Sequence, residues 1–206
     1  MARGDSIETE GELAALYGPI NVASLRKEVP FISPVYRRWI EAAPFSVLAT
    51  CGPDGLDASP RGDAPGFVVV ENEHTLLLPE RRGNNRIDSL RNIVADPRVA
   101  LLFMIPGVGE TLRVNGRARI SVEPTLLARF AVQGKPPQCV VTIAVETVFF
   151  QCARAIQRAQ LWAPAPDRAQ IGVPTAGAIL AALSGGELGG EAYDRELPQR
   201  QRQTLY

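Results

Sequence analysis

The sequence predicts a mainly β protein with peripheral helices, an α+β fold built on a small antiparallel barrel of six to seven strands. Short runs of β-type residues recur along the middle of the chain, brief Gly-, Pro- and Asn-containing links separate them, and few helices intervene. The runs are Phe45–Thr50, Leu56–Arg61, Phe67–Glu71, Thr75–Leu78, Val99–Ile105, Thr111–Val122 and Val140–Phe150. Because barrel closure removes exposed strand edges, a closed or nearly closed barrel is the expected arrangement.

The links between the runs indicate which strands are neighbours. Residues 52–55 (Gly-Pro-Asp-Gly), 64–66 (Ala-Pro-Gly) and 72–74 (Asn-Glu-His) separate the first four runs, and residues 106–109 (Pro-Gly-Val-Gly) separate the fifth from the sixth. A parallel crossover requires a dozen or more residues. These links therefore predict antiparallel pairs.

Helical periodicity and capping residues predict six helices around the strands. Thr9 and Glu12 stand at capping-box spacing, and Pro34 after Ser33 suits the first position of a helix. The helices are expected at about 10–17, 34–43, 85–95, 124–132, 153–162 and 176–183. The chain then divides into an N-terminal helical segment (1–43), the barrel domain (44–162) and a C-terminal arm (163–206). The polar end of this arm, from Tyr193 to Tyr206, is expected to pack on a partner or to remain loose.

Composition indicates a soluble, cytoplasmic protein. The 206 residues are 46% hydrophobic, which suffices for a substantial core, and the formal net charge is zero, so no global attraction to nucleic acid exists. Cys51, Cys139 and Cys152 are odd in number and lack C-x-x-C spacing, which favours reduced thiols. No apolar run reaches the length of a membrane span, so no membrane partner is expected.

The sequence lacks the residues that several common catalytic and cofactor-binding sites require. His74 is the only histidine, in a predicted hairpin turn beside Glu73, which argues against a histidine metal cluster or a Ser-His-Asp triad. The chain has no Gly-x-x-x-x-Gly-Lys-Ser/Thr motif, and Gly107-Val108-Gly109 lacks the third glycine of a dinucleotide fingerprint. No metal site is expected.

The segment Arg81–Arg86 (Arg-Arg-Gly-Asn-Asn-Arg) lies between a predicted strand and a predicted helix. A chain that leaves a strand, turns at a glycine and enters a helix presents unpaired N–H groups to an anion, and arginines add forked donors. One interpretation is therefore a phosphate cradle. The other is a solvated basic turn in which Asn84 or Asn85 caps the helix.

Four arginines, at positions 61, 82, 86 and 113, fall where they could meet at one end of the barrel. Side chains two apart on a strand share a face, so Ser59, Arg61 and Asp63 would point together. Such a cluster could bind an anion. Alternatively, the arginines form surface ion pairs with Asp63, Glu80 and Asp88.

Five blocks of sequence, in this order, resemble the pyridoxamine 5'-phosphate oxidase-like, FMN-binding split-barrel family, and within it a branch of FMN-dependent enzymes. The blocks are Ser59–Phe67, Thr75–Pro79, Gly83–Arg86, Asp96–Val99 and Arg113–Ala118. The resemblance covers about Phe45 to Trp162 and reappears at Tyr193–Arg195 and Leu205–Tyr206. It implies a split barrel and a homodimer with FMN in grooves between the subunits.

The resemblance also implies a set of cofactor-binding residues. Arg61 matches the strand arginine on the FMN phosphate, Arg86 stands where the family has a phosphate-binding lysine, and Thr111 falls about where the oxidases carry a flavin-contacting glutamine. The full set is Arg61, Gly62, Asp63, Pro79, Arg82, Asn84, Asn85, Arg86, Thr111, Arg113 and Trp162, the last near the flavin of the partner subunit.

One departure from the family bears on the reaction. Pyridoxamine phosphate oxidases end in a tryptophan- and arginine-rich segment that residues 195–206 do not reproduce, so vitamin B6 oxidation is not the leading interpretation. The leading hypothesis is an FMN-dependent oxidoreductase that moves electrons between a reduced donor and a small organic acceptor. Its catalytic residues are unassigned, since the flavin performs the redox chemistry.

Two alternatives to an oxidoreductase belong to other functional classes. The alternative hypothesis is a non-catalytic carrier or sensor that binds flavin or haem. A barrel that binds single-stranded nucleic acid would need a basic groove with exposed aromatic residues, and the zero net charge and 6% aromatic content argue against it.

Overall fold

One antiparallel sheet of eight strands organises residues 6–206, the part of the chain that the structure, a computed structural model, describes. The first five residues of segment 1–43 lie outside it. The strands are β1 (Glu28–Val29), β2 (Phe45–Gly52), β3 (Gly55–Gly62), β4 (Val69–Asn72), β5 (Thr75–Pro79), β6 (Arg98–Met104), β7 (Thr111–Ser121) and β8 (Val140–Gln151). Their order is β3-β2-β6-β7-β8-β5-β4, and β1 pairs with the C-terminal part of β8.

The sheet is a split barrel, which confirms the predicted fold class. Hairpins join β2 to β3 and β4 to β5, and these two hairpins form opposite ends of the strand order. Although these ends do not pair through their backbones, Arg61 on β3 reaches Glu80, the residue after β5. The curled sheet thus brings its two ends together and leaves a gap between them.

All seven predicted strands are present, with small shifts of their ends. The additional strand β1 is only two residues long and is paired at Glu28↔Phe149 and Val29↔Val148. Two residues give no periodicity, so β1 could not be recognised in advance. Segment 1–43 is consequently not purely helical.

Eight helices surround the sheet within residues 6–206. They are α1 (Glu10–Ala14), α2 (Val22–Arg26), α3 (Pro34–Ala42), α4 (Asp88–Ala95), α5 (Pro124–Arg129), α6 (Arg154–Ala159), α7 (Ala176–Leu183) and α8 (Gly190–Gln203). The six predicted helices are all present, although α1, α4, α5 and α6 are shorter than expected. Both α2 and α8 were missed.

Helix α8 corrects the expectation of an irregular polar end. Although Pro198 lies inside it, α8 spans 14 residues. Asp194 on α8 accepts hydrogen bonds from the Thr175 hydroxyl and from the Gly177 N–H, at 2.5 and 2.7 Å. A carboxylate at the start of α7 satisfies N–H groups that the helix leaves unpaired, so this contact fixes α7 against α8.

The core fills the barrel with alternate residues of its strands. Leu48 on β2, Leu101 and Phe103 on β6, and Leu112 on β7 are 0% exposed. Helix α3 contributes Ile40, which is also fully buried. This alternation is the pattern of a sheet with one buried face, and it explains why the strands were visible in the sequence.

No helix among residues 6–206 combines the length and the apolar character that a membrane crossing requires.

Candidate functional site

A cleft of about 850 Å³ opens beside the gap between the two ends of the sheet. Its walls come from β3, from the end of β5, from the loop that leads to α4, and from the segment before β8. It is lined by Asp57, Ser59, Pro60, Arg61, Gly62, Phe67, Pro79, Glu80, Arg81, Arg82, Gly83, Asn84, Asn85, Arg86, Ile87, Asp88, Ser89, Leu90, Lys135, Pro136, Pro137, Gln138, Cys139 and Tyr206. Five basic side chains and three carboxylates are among them, so the lining has an excess of positive charge.

Arg61 lies at the centre of this lining, and its side chain is only 14% exposed. Its Nη1 donates to the Glu80 carboxylate, and its Nη2 donates to the hydroxyls of Ser59 and Ser89 at 3.2 and 3.1 Å. Its Nε is buried and has no acceptor among the described residues. Buried donors are rarely left unpaired, so the hydrogen bonds of this arginine are incomplete within residues 6–206.

A short chain of hydrogen bonds continues from Arg61 along the floor of the cleft. The hydroxyls of Ser59 and Ser89 lie 2.8 Å apart, and Ser89 donates to Asp57. Ser89 is 3% exposed. These contacts join β3 to α4 and hold the guanidinium of Arg61 in one orientation.

The loop between β5 and α4 differs from the predicted strand-glycine-helix turn. Helix α4 begins at Asp88 rather than near Asn85, and its cap residue is Ile87, whose φ of 55° is left-handed and which makes no side-chain capping bond. Asn85 is also left-handed, at φ 61°, and the Asn84 side chain accepts from the Arg86 N–H at 3.0 Å. Such local side-chain bonds compete with helix formation. Neither asparagine caps the helix. The segment Arg81–Arg86 instead forms a rim of the cleft, which we call the basic rim.

The ion pairs considered as the alternative are present in part. Arg61 pairs with Glu80 and Arg86 pairs with Asp88 at 2.7 Å, whereas Asp63 pairs at 2.7 Å with Arg81, which is not one of the four arginines. Within residues 6–206, neither Arg82 nor Arg113 pairs with any of the three acids. The Arg86–Asp88 pair does not exclude an anion site, because exposed pairs contribute little and exchange partners easily, whereas the Arg61–Glu80 and Arg81–Asp63 pairs are largely buried.

Arg82 and Lys135 carry the positive charges of the cleft that are not part of these ion pairs. Both line the cleft, and neither forms an ion pair with an Asp or Glu side chain within residues 6–206. Lys135 instead donates to the main-chain oxygen of Tyr206 at 3.3 Å.

The structure places most, but not all, of the predicted cofactor residues at the cleft. Seven of them line the cleft: Arg61, Gly62, Pro79, Arg82, Asn84, Asn85 and Arg86. Asp63 lies beside the cleft, next to Gly62, and is held by Arg81 and by the hydroxyl of Tyr206. The remaining three, Thr111, Arg113 and Trp162, do not line it.

Arg113 does not converge with the other arginines, contrary to expectation. Arg61 pairs across the sheet with Ser46, Ser46 with Phe103, and Phe103 with Leu112. Directly paired residues share a face and consecutive residues alternate. Arg113, which follows Leu112, therefore points to the opposite face of the sheet, where it lies over Phe149 at 5.2 Å and pairs with Glu28 at 3.6 Å.

Thr111 and Trp162 also make contacts away from the cleft. The Thr111 hydroxyl donates to Gln151 at 3.1 Å, and the Trp162 indole N–H donates to the Val108 carbonyl at 2.7 Å. Trp162 keeps 37% of its surface exposed, so it is not part of the core.

Several other cleft residues were not predicted as cofactor contacts, among them Asp57, Ser89, Lys135 and Tyr206. The alternation along β3 could have indicated Asp57, which is two residues before Ser59 and so shares its face. The family resemblance singles out Leu205–Tyr206 but does not place Tyr206 at the cleft, because this residue meets Asp63 across a separation of 143 residues.

His74 lies in the turn between β4 and β5, where it contacts Glu73 at 3.3 Å. Within residues 6–206, no group of three or more His, Cys, Asp or Glu side chains is placed to hold a metal ion. Cys139 lines the cleft, and burial and the nearby Glu80 charge raise the pKa of its thiol, while Arg61 acts in the opposite direction.

Comparisons with known proteins give one family match and several similar solved structures. Residues 32–152 match the pyridoxamine 5'-phosphate oxidase family, and no curated protein is a significant match. Similar solved structures include HupZ from Group A Streptococcus, at 22% identity and a TM-score of 0.47, with 58% of this chain and 93% of that chain covered. General stress protein 26 from Bacillus anthracis is 18% identical, with a TM-score of 0.42 and coverage of 55% and 88%.

A third similar structure is an FAD-binding protein from Mycobacterium smegmatis, at 16% identity and a TM-score of 0.39, with 60% and 98% of the two chains covered. The family match spans more than half of the sequence and runs from just before α3 to just past β8. This chain belongs to the pyridoxamine 5'-phosphate oxidase family.

Proposed function

We propose that this protein binds FMN, with the phosphate group in the cleft, and acts as an FMN-dependent oxidoreductase on a small organic molecule. The observation that carries the proposal is Arg61, a mostly buried arginine with an unpartnered Nε donor in a cleft of positive excess. A guanidinium presents forked donors that match phosphate oxygens. The cleft volume lies within the usual range for small-molecule sites.

The basic rim supplies further donors for the same phosphate. Arg82 and Arg86 bring charge, and Asn84 and Asn85 bring amide groups, all within the residues that line the cleft. The phosphate would replace Glu80 as the acceptor of Arg61 and Asp88 as the acceptor of Arg86. The second exchange is easier, since the Arg86 and Asp88 side chains are 74% and 40% exposed.

The bound flavin would supply the redox chemistry, while the protein binds it, orients it and excludes water. The cleft residues described above serve binding, and none is assigned as an acid or base. Cys139 is unsuited to nucleophilic attack, because a raised pKa keeps its thiol protonated.

The proposal is tested by the visible spectrum of the purified protein, measured before and after denaturation against free FMN. We expect a flavin spectrum with about one FMN per chain, or uptake of added FMN to that ratio. A colourless protein that takes up no FMN would contradict the proposal and leave the basic rim as a set of surface ion pairs.

The second candidate is a non-catalytic carrier or sensor, which would need only the cofactor-binding residues of the cleft. Reduction of the bound flavin by a nicotinamide donor, followed by reoxidation by an acceptor, would favour the enzyme. A flavin inert to every donor would favour the carrier. For haem, His74 is in the β4–β5 turn and does not line the cleft, so this histidine is not placed as an axial ligand.

We further propose a homodimer with FMN at the subunit interface, located in the cytoplasm, where Cys51, Cys139 and Cys152 would remain the free thiols that the structure contains. Exposed apolar side chains support the dimer: Leu16, Tyr17, Ile20 and Val22 are all more than 60% exposed. Contiguous exposed apolar surface marks interaction sites. Arg113 and Trp162 do not line this chain's own cleft. This is the position expected of residues that contact the FMN bound to the partner subunit.

Sedimentation velocity at micromolar concentration is expected to give a particle of twice the 22.3 kDa chain mass. The same result is expected after FMN removal if apolar contacts provide most of the dimer energy. A single species of monomer mass at every concentration would contradict the interface.

A further inference from the structure

Tyr206 contacts three charged residues at one end of the cleft. Its hydroxyl donates to Asp63 Oδ1 at 2.6 Å, the guanidinium of Arg81 lies 5.6 Å from its ring centroid, and Lys135 Nζ donates to its main-chain oxygen at 3.3 Å. Its side chain is part of the cleft wall. We call Tyr206 with Asp63, Arg81 and Lys135 the clasp.

The clasp uses both oxygens of the Asp63 carboxylate, whose side chain is 6% exposed. Oδ1 accepts from the Ala64 N–H at 2.8 Å as well as from Tyr206, and Oδ2 accepts from Arg81 Nε at 2.7 Å. Burial opposes ionisation of Asp63, but these three donors together lower its pKa below the ordinary value. The bond to Asp63, and then burial, raise the pKa of the Tyr206 phenol. The pair is thus a carboxylate and a neutral phenol.

The clasp also fixes the direction of Arg81. Besides its bond to Asp63, Arg81 donates from Nη1 to the Phe130 carbonyl at 2.8 Å, so its guanidinium is held from two sides under the tyrosine ring. Arg81 is the neighbour of Arg82, which lines the cleft without an acidic partner among the described residues. The orientation of the basic rim therefore depends on contacts that Tyr206 completes.

We propose that Tyr206 is a positioning residue for an anionic ligand in the cleft: it saturates the Asp63 carboxylate and holds Arg81 and Lys135 at the rim. Asp63 directly follows Gly62, a cleft residue, so a carboxylate released from the clasp would repel a bound phosphate. The inference rests on the proposed FMN site for its ligand. It also gives Asp63 a role different from the flavin contact that the family resemblance implies.

The first arm of the test measures FMN affinity by fluorescence quenching. Loss of the hydroxyl in Tyr206→Phe is expected to raise the Kd for FMN about three- to tenfold, because the charged groups at the rim are then less preorganised before FMN binds. Tyr193→Phe is the matched control, because this tyrosine lies on α8, contacts Arg200 and does not line the cleft. Its Kd is expected to equal that of the wild type.

A double-mutant cycle separates this role from general packing. In an Asp63→Asn background the carboxylate charge is gone, so Tyr206→Phe is expected to change the Kd by less than about twofold. An equal effect of Tyr206→Phe in both backgrounds would show that the tyrosine does not act through Asp63, and would overturn the proposal.

The second arm needs no flavin. Arg200 and Arg202 lie in the last turn of α8, four to six residues before Tyr206, and trypsin cuts after them only when this end of the helix opens. Tyr206→Ala is expected to speed cleavage there at least threefold, measured by mass spectrometry. An unchanged cleavage rate would overturn the clasp whether or not FMN binds.

The two arms distinguish failure of the clasp from failure of the FMN site. Faster cleavage together with weaker FMN binding supports the proposal, and faster cleavage with an unchanged Kd overturns the positioning role. If the wild type binds no FMN, the proposed function fails, and the same affinity measurements are made by calorimetry with inorganic phosphate, with the same expected ranking of variants.

Discussion

Replacing Arg61 and Arg86 together by alanine is expected to weaken FMN binding by about a hundredfold to ten-thousandfold. Each arginine would contribute a charge-assisted hydrogen bond to the phosphate, a contact that contributes about 1.5–3 kcal/mol. Arg61 carries most of the effect, because it is 14% exposed and its Nε has no acceptor among the described residues. Fluorescence titration of the apoprotein with FMN measures the change.

The design must separate loss of the phosphate contact from loss of the fold. Arg61→Ala leaves Glu80, which is 20% exposed, without its partner, and an unpaired buried charge is destabilising. A triple variant that adds Glu80→Gln removes that charge and its repulsion of the phosphate, so it is expected to bind FMN more tightly than the double variant but still far more weakly than the wild type. Arg91→Ala, on an exposed position of α4 outside the cleft, is the matched control and is expected to bind normally. A folded double variant that keeps wild-type affinity would contradict the phosphate assignment.

The barrel could be predicted because its physical signals are local. Each of the seven longer strands alternates buried and exposed residues, or is bounded by Gly- and Pro-containing turns, over enough residues to show a period. Strand β1 is too short to do so. Helix α8 was missed because it is polar, contains Pro198 and is stabilised by a contact of Asp194 with α7 that no local pattern reveals.

The candidate site was predictable only in part, for reasons of geometry. The residues on β3 and on the loop after β5 come together because the barrel brings these two elements to the same gap. Arg113 does not, since its face depends on the register of three successive strand pairs. A shift of one residue in any of them would reverse it. For Tyr206, the family resemblance singled out the residue but not its contacts, because its position depends on the path of α7 and α8.

Replacement of Phe103 by alanine is expected to reduce the free energy of unfolding by about 3–5 kcal/mol, the usual cost of removing a buried aromatic side chain. Phe103 is 0% exposed and lies on β6 between Ser46 and Leu112. In a chain of this length, each 1 kcal/mol shifts the Tm by about 2–4 °C. Urea unfolding of the apoprotein, followed by circular dichroism, measures the loss. Leu56→Ala is the control, because Leu56 is 89% exposed and its removal leaves no cavity.

The same variant connects the fold to the proposed ligand. A ligand that binds only the folded state stabilises it by about 2.7 kcal/mol at a concentration of 100 Kd, so FMN is expected to restore much of the stability that Phe103→Ala removes. Adding Arg61→Ala and Arg86→Ala should abolish this rescue at the same FMN concentration, since the phosphate contacts are then missing. A rescue that persists without both arginines would mean that FMN binds elsewhere on the protein. A Phe103→Ala variant as stable as the control would show that the barrel interior is not packed around this ring.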